Sequence, residues 1–565
     1  MSARNLVFTL ALLTVCTEAA VAADNGISAQ EAYKRLRLTG ELTSVTVADP
    51  FDFSELGEPP DSAPQPGGYR VRRVEFAGPV RLSGTELPYD VRIDGSNFRD
   101  EVRLQQCSLQ TFAVRNSVWS RDLVVENCTF NGFSPFDGNE FQSDLKFHLV
   151  SFFRSPNFRD AVFRGRTEFL ECDFGKGDPP AKSTSFSNAV FEGPTLFNNS
   201  RFHTKAKFQS VVFEEDASFV NTRMEADAAF RNVHFKGDAE FRFCRIATAD
   251  FGNRNNLTLF AKRADFRSCT METALFDYVE LRGETSFVNA RFGLGGASFR
   301  NANLGNKRTD FDGVTSAGPI VFSNAHMPAL RFYWREVREP VLDGDPDAKV
   351  LAALHARLKD QGDTEGALDA SHHLAKRKFA ENVGVPLPSL TQQPSEFLDA
   401  IGRRLVAYGE WVLWGWPTGY GTKLGRILLL ALACWLIAAL PVASTRRLLA
   451  RVPSSPETDS DASKPRESRS YEPLASEERP EELRFPDAFP ARLTMALKFT
   501  FRLLFKVGPK DIRPVASASA TSRRVTWKVY LASLWYLGSG LLVLIALTLA
   551  NTSPMIDRLI GELFP

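Results

Sequence analysis

Seven cysteines and seven histidines are the side chains of this chain best suited to hold a metal or supply a nucleophile. Cys16 lies in an apolar leader and Cys434 in a later apolar run. Cys107, Cys128, Cys172, Cys244 and Cys269 each stand two residues before an apolar residue: Leu109, Phe130, Phe174, Ile246 and Met271. That shared phase marks small buried side chains rather than metal ligands. Cys107 and Cys128 are 21 residues apart, and a disulfide between them is left open by the sequence. The histidines, at 148, 203, 234, 326, 355, 372 and 373, show no ligand spacing. His372 and His373 are adjacent on a predicted helix and face different directions. There is no nucleophile elbow, phosphate-binding glycine loop, C-x-x-C pair or H-E-x-x-H. The search yields no catalytic residue, no cofactor-binding residue and no metal ligand, so the expectation is a protein that is not an enzyme and uses no cofactor.

What the side chains do carry is a packing signal. Of 565 residues, 46 are Phe against 10 Tyr, and 34 of those Phe fall between Asp90 and Pro340. So dense an apolar content excludes a disordered segment. The whole chain has 68 basic and 67 acidic residues, and Asp90–Pro340 has 32 of each. Zero net charge there gives no field to attract nucleic acid, which is not expected as a partner.

The Phe residues keep a register. Phe186, Phe197, Phe208, Phe219, Phe230 and Phe241 are spaced by eleven, and Phe191, Phe202, Phe213, Met224, Phe235 and Ile246 follow each by five. Two residues before each stands a small or β-branched one, from Thr184, Ala189 and Thr195 through to Ala239 and Cys244. Neither a helix nor a long alternating strand has this period. A chain that turns inward every five or six residues does, burying one large residue and the small one two positions earlier. The ten Phe of this stretch, Phe186 to Phe241 in the two series, are the repeat core. Asn188, Asn199, Asn221 and Asn232 suit the corners, because Asn tolerates left-handed backbone.

This small-x-large period resembles the pentapeptide-repeat family. The resemblance covers about Asp90 to Phe332 and implies a mainly β fold, a right-handed quadrilateral β-helix with four faces per coil. The alternation of five and six gives a coil of about 22 residues and roughly eleven coils over this stretch, with coils about 4.8 Å apart. Interruptions at Gly175–Ala181, Gly252–Leu259 and Gly293–Gly296 read as loops pushed out from one corner.

Around the repeat, residues 1–22 read as a signal peptide, with Arg4, an apolar run from Leu6 to Val15 and Ala20-Val21-Ala22 as the cleavage site. Leu13-Thr14-Val15-Cys16 offers a competing lipoprotein reading. Residues 23–89 form an N-terminal cap region and 90–332 the β-helix. A helical spacer and interfacial segment follows at 333–423, with a helical hairpin turning at Gln361-Gly362-Asp363. Residues 424–443 and 529–550 are long and apolar enough for two transmembrane helices. The connection Thr445–Lys528 holds 17 Lys and Arg, which places it in the cytoplasm and the repeat outside. Within it, 444–490 reads as a disordered linker and 491–528 as an amphipathic, pore-like segment. The tail is 551–565.

The segment Lys506-Val507-Gly508-Pro509-Lys510-Asp511 resembles the surroundings of a potassium-channel filter, with Lys506, Val507, Gly508 and Asp511 as pore-like residues. Pro509 and Lys510 replace the Tyr-Gly of such filters, and lysines at a cation filter repel cations. The leading functional expectation is a non-enzymatic, membrane-anchored scaffold or binding module in the inner membrane of a bacterium. Its repeat domain faces outside the cytoplasm; its partners are membrane lipid, a protein or envelope component, and a second copy through the transmembrane helices. The alternative is an ion-channel-like or transport protein with a degenerate filter and the repeat as sensor or cap. DNA mimicry, known for some pentapeptide-repeat proteins, is opposed by the neutral repeat.

Overall fold

The computed structural model describes residues 26–61, 63, 67–252, 254–255, 257–384, 394–411, 424–444, 447–449, 482–484, 489–505, 530, 533, 536–543 and 545. It divides into two units, residues 1–370 and 371–565.

The first unit is a β-solenoid in which every strand of the coil pairs in parallel with its equivalent one coil away. One face is a 12-stranded sheet, the next a 13-stranded sheet, and the third and fourth share a 16-stranded sheet. One coil shows the plan: Val190–Phe191, Thr195–Leu196, Arg201–Phe202 and Lys205–Lys207 lie on the four faces in turn. The next coil repeats it 22 residues on, pairing Val190 with Val212, Thr195 with Ala217 and Arg201 with Arg223. Eleven of the thirteen strands of the second sheet lie between Val102 and Arg331, the number that a 22-residue coil implies for this stretch.

Coil formation follows from which backbone each residue tolerates. Asn188, Asn199, Asn221 and Asn232 have φ of 61°, 58°, 56° and 58°, the left-handed corner. Their side chains link corners of successive coils: Asn221 Nδ2 donates to Asn199 Oδ1 at 2.9 Å, and Asn232 Nδ2 to Ser210 Oγ at 3.1 Å. At another corner the coils approach so closely that a Cβ on Gly193 would sit 2.6 Å from the carbonyl oxygen of Gly165.

The solenoid begins earlier than the sequence reading placed it. Strands from Gly26–Ile27 onward already belong to the coils, so 23–89 is not a separate cap. The Phe register misses these coils because most of their inward residues, such as Val45, Val47, Val71, Val74 and Leu82, are aliphatic, and Phe appears there only at 51, 53 and 76. One coil there is also stretched, with Thr46 pairing Glu75. The actual N-terminal cap is the helix Ala29–Thr39, whose Ala32, Tyr33 and Leu36 are buried and whose start is capped by Ser28. The Tyr33 ring lies 4.7 Å from that of Phe51, and its hydroxyl accepts from the Asp52 amide at 2.7 Å.

At the other end the helix Trp334–Asp343 buries Trp334, Val337 and Val341. Ala348–Gln361 and Thr364–Gly384 follow as a hairpin, with Gly362 at φ 78° between them. The last coil's open edge is met by helix side chains: Gln361 Nε2 donates to Leu330 O at 2.7 Å, and Gly313 N to Glu336 Oε2 at 2.9 Å. Helix cover of this kind blunts a sheet edge against pairing with another chain.

In the second unit, helices span Pro394–Glu410, Leu424–Ser444 and Phe489–Phe505. Trp435 Nε1 donates to Leu497 O at 2.9 Å, joining the latter two. Among the described residues no helix is long and apolar enough to cross a membrane. The two expected spans therefore gain no structural support, and most of 529–550 lies outside the described residues. The disordered reading of 444–490 is modified at its ends, where Arg447–Leu449 pairs antiparallel with Glu482–Arg484. The signal segment 1–22 and the tail 551–565 lie outside the described residues.

Candidate functional site

The interior holds four columns of rings. Phe186, Phe208, Phe230, Phe251 and Phe276 stack at 5.1, 4.9, 5.0 and 4.7 Å between centroids. Phe197, Phe219 and Phe241 form the facing column, stacked at 5.0 and 4.8 Å. The two columns meet edge to face, as where Phe208 stands against Phe219 at 5.4 Å and 89°. Phe191, Phe213 and Phe235 line a third side, and Phe202 takes its place in the fourth, 4.5 Å from Phe174. All ten are buried, as are the small residues from Thr184 to Cys244 that precede them. With its inward positions taken up by stacked, buried rings, the coil leaves its polar side chains for recognition on the outer faces.

The five solenoid cysteines are buried free thiols at the small inward positions. Cys107 and Cys128 are stacked without a bridge, the Cys107 amide donating to Cys128 Sγ at 3.4 Å. Burial pushes Cys172 up to about 12, and holds Cys269 far above the ordinary thiol value with help from neighbouring Cys244. Cys172 and Cys269 are therefore poor nucleophiles, whereas the hydrogen bond with Cys128 draws the Cys107 thiol down to about 7.

Outward side chains form charge ladders up the faces. His203 sits between two carboxylates from adjacent coils, Asp173 at 3.1 Å and Glu225 at 2.9 Å. Asp265 is fully buried under Arg263 and Arg267, at 2.7 and 2.6 Å, with Arg242 3.8 Å away. Among the described residues no group of His, Cys, Asp and Glu is arranged to hold a metal ion.

The three sequence interruptions leave from two corners rather than one. Gly175–Ala181 and Gly293–Gly296 lie between the third and fourth faces, and Gly252–Leu259 between the fourth and the first. The first is clamped down: Asp178 accepts from Ser155 N at 2.7 Å and from Arg154 at 3.0 Å, and these bonds outweigh burial to keep its carboxyl below the usual range. Below this loop the fourth face carries a groove of about 480 Å³ crossing four coils, with Phe133, Asn157, Arg159 and Lys207 among its walls. No local motif announces it, since its residues come from four separate coils. Aligning the sequence at one coil per row would have placed Asn157, Ser185 and Lys207 in one column. The pore-like residues Lys506, Val507, Gly508 and Asp511 lie outside the described residues, and the channel-like reading has no structural support.

The architecture defines the class first: a four-faced parallel β-solenoid with capped ends. Residues 197–245 match the family of pentapeptide repeats (9 copies). That match and the solenoid together support a pentapeptide-repeat protein, a class that is generally structural rather than enzymatic. No curated protein and no solved structure matches this chain.

Proposed function

We propose that this chain is a non-enzymatic scaffold whose solenoid offers its outer faces to a protein or envelope partner, held at a membrane by its C-terminal segments. The observation that carries this reading is the division of labour across the coil. Inward positions are spent on packing, while outward positions form largely polar columns that repeat at each coil and run along the lateral faces. Anchoring rests on sequence alone, on the apolar runs 424–443 and 529–550 and the basic connection between them. Outside placement of the solenoid likewise rests on the signal-like leader.

Photo-crosslinking residues installed at outward positions around one coil, in cells expressing the full chain, test the scaffold reading. Adducts of one defined size confined to one or two faces are expected. Equal faint labelling on all four faces would overturn the reading. Alkaline carbonate extraction of membranes tests the anchor separately: the protein stays in the pellet if it is inserted, and release into the supernatant would remove that part.

A further inference from the structure

The groove on the fourth face differs from the rest of the solenoid surface in charge, in floor and in one exposed ring. Its floor is made by Ser183, Ser185 and Ser187, three small outward side chains in one coil, and their size is what makes the depression. Arg159 and Lys207 stand on its walls, and no carboxylate lines it. Cations just outside have partners: Arg154 pairs with Asp178 and Lys205 with Asp227, both at 3.0 Å. Arg159 and Lys207 have none at ion-pair distance among the described residues, although Asp137 on the neighbouring coil is near enough to feel the charge of Arg159. Asn157 lines the same depression, and its Oδ1 is buried and accepts no hydrogen bond. Phe133 closes one end and is 47% exposed, on a fold that buries nearly every other ring.

These groups ask for complementary ones. Two unpaired cations call for acidic groups, the orphaned amide oxygen for a hydroxyl donor, and the flat ring for an apolar face with C–H bonds. Asn157, Ser185 and Lys207 succeed one another up a column, so the asparagine and the lysine lie two coils, about 10 Å, apart. One small anion cannot reach across that span. We propose that this groove binds a short acidic oligosaccharide lying along the solenoid axis, its carboxylates on Arg159 and Lys207, a hydroxyl donating to Asn157 Oδ1 and one ring against Phe133. The volume suits two or three sugar rings, within the ordinary range for ligand sites. This inference rests on the reading of the solenoid as a binding module and names the chemistry of one partner.

Calorimetric titration of the full chain in mild detergent with trigalacturonate tests it, with neutral cellotriose and a triglutamate peptide as controls. Saturable binding of trigalacturonate is expected, with both controls weaker by about tenfold or more. The Arg159→Ser/Lys207→Ser pair is expected to weaken it about tenfold, and Phe133→Ser severalfold, with melting temperatures unchanged because all three side chains face outward. No saturable trigalacturonate binding overturns the proposal. So does equal binding of triglutamate, which marks charge without sugar recognition, or binding untouched by the three substitutions. Any of these leaves the crosslinking test of the scaffold reading unaffected, so the two fail separately.

Discussion

Phe243 occupies a corner at φ 60°, and its side chain is 58% exposed. Equivalent corners one and two coils earlier hold Asn221 and Asn199, whose amides are linked. A bulky residue in left-handed backbone costs roughly 1–2 kcal/mol, and Asn largely escapes that cost. Phe243→Asn is therefore expected to stabilise the fold by about 1 kcal/mol, read as a rise in melting temperature. A fall would mean that the ring is held by contacts that compensate the strain. Asp265 gives the opposite case. Its buried carboxylate neutralises Arg263 and Arg267 and lies near Arg242. Removing one member of such a cluster leaves like charges close together, and Asp265→Ala should cost about 3 kcal/mol in chemical denaturation. An effect within experimental error would show that the arginines simply swing into solvent.

At the scale of the coil, the ring columns decided what was legible in advance. From Phe186 to Ile246 the period of five and six named the inward residues, the small partners and the corner asparagines, because each coil there repeats without insertion. The reading failed where the same geometry uses other residues. Between Gly26 and Asp90 the inward positions are largely Val, Leu and Tyr, which any fold buries, and one coil is lengthened to pair Thr46 with Glu75. The groove was not legible because Phe133, Arg159 and Lys207 are ordinary surface residues until the coils stack. The cysteines were read as small core positions, and their burial has a measurable consequence. Cys172 is held protonated up to about 12, whereas the unfolded thiol ionises at its ordinary value of 9.0. The unfolded state thus releases a proton first, and the stabilisation present below pH 9 is lost as pH rises toward 12. The melting temperature should fall across that window, and less steeply in Cys172→Ala. Identical slopes in the two proteins would contradict the assignment of this thiol.

Across the whole solenoid, stability is a sum of coils and of the interfaces between them, closed by the helices Ala29–Thr39 and Trp334–Asp343 at its two ends. Such an architecture tolerates loss of a complete coil and not loss of part of one, because a partial deletion sets the remaining faces out of register. The outer columns used for recognition depend on the same register, so fold and proposed function stand on one geometric claim: four faces in 22 residues. The direct measurement is a pair of deletions followed by thermal denaturation monitored by circular dichroism. Removing residues 208–229 joins Lys207 to Phe230 and takes out one coil, since Lys207 and Ala229 are register partners one coil apart through Ala206↔Ala228. That protein should keep a cooperative transition near the parent's. Removing only residues 208–218 takes out half a coil and should abolish the transition. Equal behaviour of the two deletions, folded or unfolded, would contradict the four-faced coil.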